Sequence, residues 1–153
     1  KLRIRLDRTQ FAERYETSVL RLEKLTAQQL EKLDECRGDD CHIVAAAGTG
    51  KTFIALQLLH EVLQAAGNEL VLYVAKRMPL CLFVVKWLFT KCYTHSARAN
   101  VFERLHLLFE PFHVGVRSLH YNVTEGLIDT RSVAAPKASV AGAPAYRLLV
   151  LDE

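Results

Sequence analysis

Two short strings in this sequence have the residue types and spacing to handle a phosphate chain. Ala45-Ala46-Ala47-Gly48-Thr49-Gly50-Lys51-Thr52 lies mid-chain, and Leu148-Leu149-Val150-Leu151-Asp152-Glu153 closes it. The first matches the phosphate-loop pattern G-x-x-x-x-G-K-[ST], except that Ala45 stands at the first glycine; the second is an apolar run ending in two carboxylates. Gly48 and Gly50 let the backbone turn tightly, so that successive N–H groups face an anion at the mouth of a helix, where the macrodipole already favours negative charge. Lys51 would then reach the β- and γ-phosphates of a nucleoside triphosphate, and the Thr52 hydroxyl would ligate Mg²⁺. Asp152, at the carboxyl end of a buried strand, would hold the same ion. Glu153 would orient or deprotonate the attacking water. Ala45 would end a strand, where alanine fits as long as φ is negative. Taken singly, the strings read as a glycine-rich turn and a solvated strand end; taken together, they predict a nucleoside triphosphatase.

The flanking pattern supplies elements to position these groups. Cys41 to Val44 is expected to form a short strand into the loop. Lys51 to Ala66 carries a helical apolar stripe at Ala55, Leu58, Leu59 and Val62, with a stop at Gly67-Asn68. Ahead of the loop, Leu2, Ile4 and Leu6 alternate with basic residues as a short strand. Phe11, Tyr15, Val19 and Leu22 then recur at helical spacing, and Thr26-Ala27-Gln28-Gln29 opens a second helix to Cys36 with a capping-box pattern. Downstream, Leu70 to Ala75 is continuously apolar, as a parallel strand buried on both faces would be. Pro79 suits the first turn of a helix to Lys91 with Leu82, Val85, Trp87 and Phe89 in the core. Val101 to Phe109 reads as another helix, His113 to Val116 as a short strand, residues 122–146 as an Ala/Gly/Ser/Pro-rich surface loop with a short helix near Glu125, and Arg147 to Leu151 as the last strand. Strands alternating with helices predict an α/β fold with a doubly wound parallel sheet and a ligand at the carboxyl ends of its strands.

Composition bounds the function more loosely. With 153 residues, half of them hydrophobic, the chain can bury one core of ordinary size. It begins at Lys1 and stops on the carboxylates, so it reads as a piece of a longer chain. The net charge of +3 permits nucleic-acid binding without arguing for it, because Lys76, Arg77, Lys86, Lys91 and Arg98 are scattered rather than run together. Cys36, Cys41, Cys81 and Cys92 lack zinc spacing and read as reduced structural thiols of an intracellular protein. Asn122-Val123-Thr124 is a glycosylation sequon that counts only in a secreted one. No membrane span is expected: the most apolar stretch, Leu80 to Phe89, is interrupted by Lys86 and falls far short of the ~20 residues required.

From about Leu25 to Glu153 the sequence resembles the superfamily 1 helicases, especially the UvrD-like and Schlafen group 3-like branches. The resemblance rests on Ala47-Gly48-Thr49-Gly50-Lys51-Thr52 and on Leu25-Thr26-Ala27-Gln28-Gln29, which is similar to that family's Q motif. It implies a RecA-like P-loop domain over residues 25–153, with residues 1–24 as a strand and helix leading in and the sheet cut after the strand that carries Asp152. It implies ATP and Mg²⁺ as cofactors, Ala47 to Thr52 as the nucleotide cradle, Lys51 and Glu153 as catalytic, Thr52 and Asp152 on the metal, and Gln29 as the reader of adenine. Gln29 also occupies the last position of the capping box, and both roles stand open. Val74 to Leu80 and Val116 to His120 fall where the family touches single-stranded DNA or RNA, which makes Arg117, Ser118 and His120 candidate strand contacts. A second RecA-like domain of the same parent would supply an arginine finger. The alternatives are an AAA+ or signalling-type ATPase that remodels proteins, which usually places its carboxylates nearer the lysine, and a nucleotide-binding switch without turnover.

Overall fold

The computed structural model describes Arg14, Ser18, residues 24–133 and residues 145–152. The expected elements between Lys1 and Leu22 fall almost wholly outside these residues, as does Glu153. The chain divides into two compact units, Lys1–Ile54 and Ala55–Glu153.

In the first unit, helix α1 (Ala27–Glu35) starts where the sequence says it should. Thr26 Oγ1 accepts the Gln29 N–H at 3.2 Å, and Gln29 Oε1 accepts the Thr26 N–H at 2.9 Å, so the capping box satisfies two N–H groups that the helix leaves over. Leu33 is its buried residue, and the helix stops at Cys36. Cys41 to Val44 corrects the expectation of a strand: the segment belongs to no strand. A strand exists through its partner, and here Cys41, His42 and Val44 are exposed, so their backbone groups are free to bond to water instead of a ladder. Helix α2 (Lys51–Gln64) follows the loop and crosses the boundary between the units.

The second unit is built on a five-stranded sheet. Strand β1 (Val71–Ala75) is followed by helices α3 (Met78–Lys91) and α4 (His95–Arg104), then by β2 (Leu105–Leu108), a 3₁₀ turn (Phe112–Val114), β3 (Arg117–Asn122), β4 (Leu127–Ser132) and β5 (Leu148–Asp152). The spatial order is β4-β3-β2-β1-β5. Strand β1 pairs in parallel with β2 on one side and β5 on the other, whereas β3 and β4 form an antiparallel hairpin beside β2. The α/β class is as expected, but the parallel arrangement holds for three strands rather than the whole sheet.

Three local expectations are corrected. The region read as one helix over Val101 to Phe109 is the end of α4 joined directly to β2. Thr94 caps α4 by accepting the Ala97 N–H at 3.1 Å, and the backbone turns extended at Leu105. Leu105, His106 and Leu107 are all buried, the mark of a strand covered on both faces. The strand expected at His113 to Val116 is the 3₁₀ turn, with the strand displaced to Arg117. The surface loop after Asn122 is in part the β3–β4 hairpin: Asn122 Oδ1 accepts the Thr124 and Glu125 N–H groups at 3.0 and 3.3 Å, and Gly126 turns with φ +67°.

The core lies between the sheet and its helices. Val71, Leu72, Tyr73 and Ala75 of β1 are buried, as are Leu56, Leu59 and Leu63 of α2 and Cys81, Val84, Val85, Trp87 and Leu88 of α3. Leu82, expected in that core, is exposed. Arg104 is buried at the C-terminus of α4 and donates five hydrogen bonds. They go to the Val62, Leu63 and Ala65 carbonyls, to the Glu69 carbonyl and to Asn100 Oδ1, at 3.0–3.2 Å. It thus satisfies the carbonyls that the end of α2 leaves without helical partners, and its charge complements that end of the helix dipole. Among the described residues, no helix is long and apolar enough to cross a membrane.

Candidate functional site

The phosphate-loop string folds as a loop running into a helix. Ala47 to Thr49 form a turn, and α2 begins at Lys51, with the Phe53 and Ile54 N–H groups bonded to the Gly50 carbonyl at 3.0 and 3.1 Å. Gly48 and Gly50 adopt φ of +79° and +91°, a region that side chains resist. No described non-glycine residue has positive φ, so Ala45 sits without strain in the first-glycine position. Gly50 is fixed a second way: a Cβ there would collide with the Gln29 side-chain amide.

The Lys51 ammonium folds back into its own loop. It donates to the Ala45 carbonyl at 2.6 Å and the Ala46 carbonyl at 3.1 Å, while Thr49 Oγ1 donates to Ala46 at 2.8 Å. These are the bonds a flexible cation makes with nearby oxygens, and better oxygens on an arriving anion could take them over. Thr52 is half-buried in the first turn of α2. Gln29 uses both ends of its amide: Oε1 closes the capping box, and Nε2 donates to the Thr49 carbonyl at 3.0 Å. The capping box is therefore formed, and the same side chain braces the loop. Close by, burial and a hydrogen bond with Cys41 push the Cys36 thiol up to about 11.

In the second unit, Asp152 is the last residue of β5, opposite Ala75 of β1. Strand β1 has parallel neighbours on both sides, β2 and β5, so the carboxyl ends of the three strands lie along one edge of the sheet, the edge where α/β sheets hold ligands. Asp152 Oδ2 accepts the Tyr73 hydroxyl at 2.7 Å. Burial, reinforced by that bond, pushes the Tyr73 phenol far above its ordinary range. Burial and the Asp152 charge push the nearby Cys81 thiol up to about 11. Sequence reasoning missed Tyr73 because a tyrosine in an apolar run looks like core.

Past the end of β1, Lys76, Arg77, Pro79, Leu80 and Phe83 line a cavity of ≈ 410 Å³. Two of the other candidate strand contacts have structural engagements: the Arg117 guanidinium lies 5.0 Å from the Phe109 ring centre and Ser118 Oγ reaches the Arg131 carbonyl at 3.5 Å. His120 is exposed on β3.

Among the described residues, no group of three or more His, Cys, Asp or Glu could hold a metal. Mg²⁺ bound with a nucleotide needs no such cage, since it takes one or two protein oxygens and completes its shell with phosphate and water. A threonine hydroxyl and an aspartate carboxylate are the hard oxygen donors that role requires, so the residues present fit it.

The model of a family described as type III restriction enzyme, res subunit, matches residues 16–100, from ahead of α1 through the phosphate loop and β1 into α4. No curated protein and no solved structure matches the chain.

Proposed function

Because this chain belongs to the family of the type III restriction enzyme res subunit, a helicase-like P-loop family, we propose that it is the ATP-binding, ATP-hydrolysing part of a nucleic-acid motor. The observation that carries the reading is the loop itself: two glycines at positive φ lead into the N-terminus of α2, and a lysine is parked on the loop's own carbonyls. An arriving polyphosphate would exchange those carbonyls for its own oxygens as partners of Lys51. The N–H groups from Ala47 to Thr52 would then cradle the phosphates.

Thr52 and Asp152 are the residues that would hold Mg²⁺. Bound with the nucleotide, that ion would neutralise charge on the β- and γ-phosphates. Glu153 would orient the attacking water, and a second RecA-like domain would supply an arginine to the transferring phosphoryl group. Gln29 would report the adenine to the loop that it braces. The superfamily 1 branch, UvrD-like or Schlafen group 3-like, is the narrower part of this reading and rests on the Gln29 and Lys51 strings quoted above.

The largely apolar cavity beyond β1, with two basic residues in its lining, supports a nucleic-acid strand as partner: Lys76 and Arg77 would meet phosphates, and Phe83 offers a ring to a base. The test is ATP hydrolysis by the full-length protein with and without single-stranded DNA or RNA, with Lys51→Ala as the blank. Stimulation by one polymer is the expected result and names the track. Lys51-dependent turnover indifferent to both would favour a protein-remodelling or signalling ATPase. Nucleotide binding without turnover would favour a switch.

A further inference from the structure

We propose that Tyr73 is a positioning residue for Asp152, holding its carboxylate in one orientation toward the metal–nucleotide complex; this rests on the role of Asp152 given above. Tyr73 is fully buried, at 0 % exposure, in the middle of β1. Phenylalanine would fill nearly the same volume, and a hydroxyl brought into a core is costly unless it finds a partner. Its partner is Asp152 Oδ2, at 2.7 Å.

The register explains how the two meet. Tyr73 lies opposite Val150 and Ala75 opposite Asp152, so Tyr73 and Asp152 share one face of the sheet, a diagonal step apart. A diagonal step of about 7 Å is too far for short side chains but within reach of an aromatic one. The strand end is where a carboxylate would otherwise rotate freely about its Cβ–Cγ bond. With Oδ2 engaged by a donor locked in the core, Oδ1 is presented in a defined direction.

Carboxylates that ligate metals are usually held by such outer partners, whose loss weakens metal affinity by about 10–100-fold.

The experiment compares the full-length protein with its Tyr73→Phe variant. The probe is Mn²⁺, read by the loss of its free electron-spin-resonance signal on binding to ADP-loaded protein, and metal-free ADP binding is the control. Tyr73→Phe should weaken Mn²⁺ binding about ten-fold and raise the Mg²⁺ concentration needed for half-maximal ATP hydrolysis in proportion. Metal-free ADP binding and cooperative melting should be retained. In an Asp152→Asn background, adding Tyr73→Phe should change Mn²⁺ binding no further.

Mn²⁺ binding within two-fold of the wild type would overturn the proposal. So would a Tyr73→Phe chain that no longer melts cooperatively, which would assign the hydroxyl to stability alone. A loss of Mn²⁺ binding that persists undiminished in the Asp152→Asn background would also overturn it. Lys51→Ala separates the two levels: if that variant hydrolyses ATP like the wild type, the nucleotide-site reading itself fails, whatever Tyr73 does.

Discussion

In the phosphate loop, Lys51 bonds to carbonyls five and six residues upstream and Thr49 to one three residues upstream. Asp152, by contrast, takes its hydrogen bond from a phenol 79 residues away in the chain. The loop lies largely exposed, whereas the phenol that holds Asp152 is wholly buried. The first region is made by its own backbone, and its contacts lie open to water, so a ligand can replace them. The second is made by the sheet, and nothing short of repacking β1 moves it. The loop is thus the local, exchangeable half of the contrast, and the strand end is its non-local, fixed half.

The largest expected effect breaks the local half alone. On the proposed function, Lys51→Ala should lower ATP turnover by at least about 10²-fold, since it removes the charged donor that would meet the transferring phosphate. Its unfolding free energy from urea titration should stay within about 0.5 kcal/mol of the wild type, because the loop carbonyls it releases are open to water. The converse variant strikes a second set of non-local bonds, away from Asp152. Arg104→Ala leaves four carbonyls, those of Val62, Leu63, Ala65 and Glu69, and Asn100 without their donor, and should cost about 3 kcal/mol in urea unfolding. Arg104→Lys should recover only part of that, because an ammonium cannot reproduce the guanidinium's fork of donors. Equal losses of stability from Lys51→Ala and Arg104→Ala would erase the contrast between local and non-local bonds.

The same contrast decides what could be read before the fold was seen. The loop, α1 with its capping box, α2, β1, α3 and β5 were legible because each is specified within a dozen residues by spacing, caps or an unbroken apolar run. The corrections fall where partners decide. Cys41 to Val44 has the composition of a strand but lacks a ladder. Val101, Phe102 and Leu105 keep helical spacing across the join between α4 and β2, so the period alone could not show that the chain turns extended at Leu105. Strand β4 is nearly all exposed, with Asp129, Thr130 and Arg131 where an apolar alternation would be sought; only its pairing with β3 makes it a strand. Tyr73 and Arg104 were invisible for the same reason, since their partners are dozens of residues away.

A finer test asks how local the loop is. Gly48 and Gly50 both have positive φ, so alanine at either should cost about 1–2 kcal/mol in conformational strain. A Cβ at Gly48 meets open space, whereas one at Gly50 meets the Gln29 amide. That amide is the tip of a flexible side chain, but it is held by Thr26 and Thr49, and moving it gives up one or both bonds. Gly50→Ala should therefore destabilise by about 1 kcal/mol more than Gly48→Ala. Adding Gln29→Ala should remove that excess and leave the strain. Urea unfolding of the wild type, Gly48→Ala, Gly50→Ala, Gln29→Ala and the Gln29→Ala/Gly50→Ala double variant measures this; an excess that survives without Gln29 would mean that the bracing from α1 is not what fixes Gly50.

The smallest expected effect concerns protons, and it belongs to the sheet. His106 is buried in β2 with Nδ1 3.0 Å from the Tyr146 hydroxyl, and burial lowers its pKa below the ordinary value of 6.5. For a base whose folded pKa is depressed, the unfolded chain takes up the proton first. Stability is then fully present above the unfolded value and is lost as pH falls from there through the folded value. His60, lowered by burial and by the Lys91 charge, adds to the loss in the same direction. The urea midpoint should thus decline as pH drops below 6.5, and His106→Gln, which keeps a polar group for Tyr146 but cannot be protonated, should decline less steeply. Metal-free ADP binding relative to the wild type should not follow this difference, because it arises in the sheet rather than in the loop. A His106→Gln slope equal to the wild type's would show that His106 is solvated in the native chain, and that the strands beside β1 are less tightly closed than the burial of Leu105 and Leu107 implies.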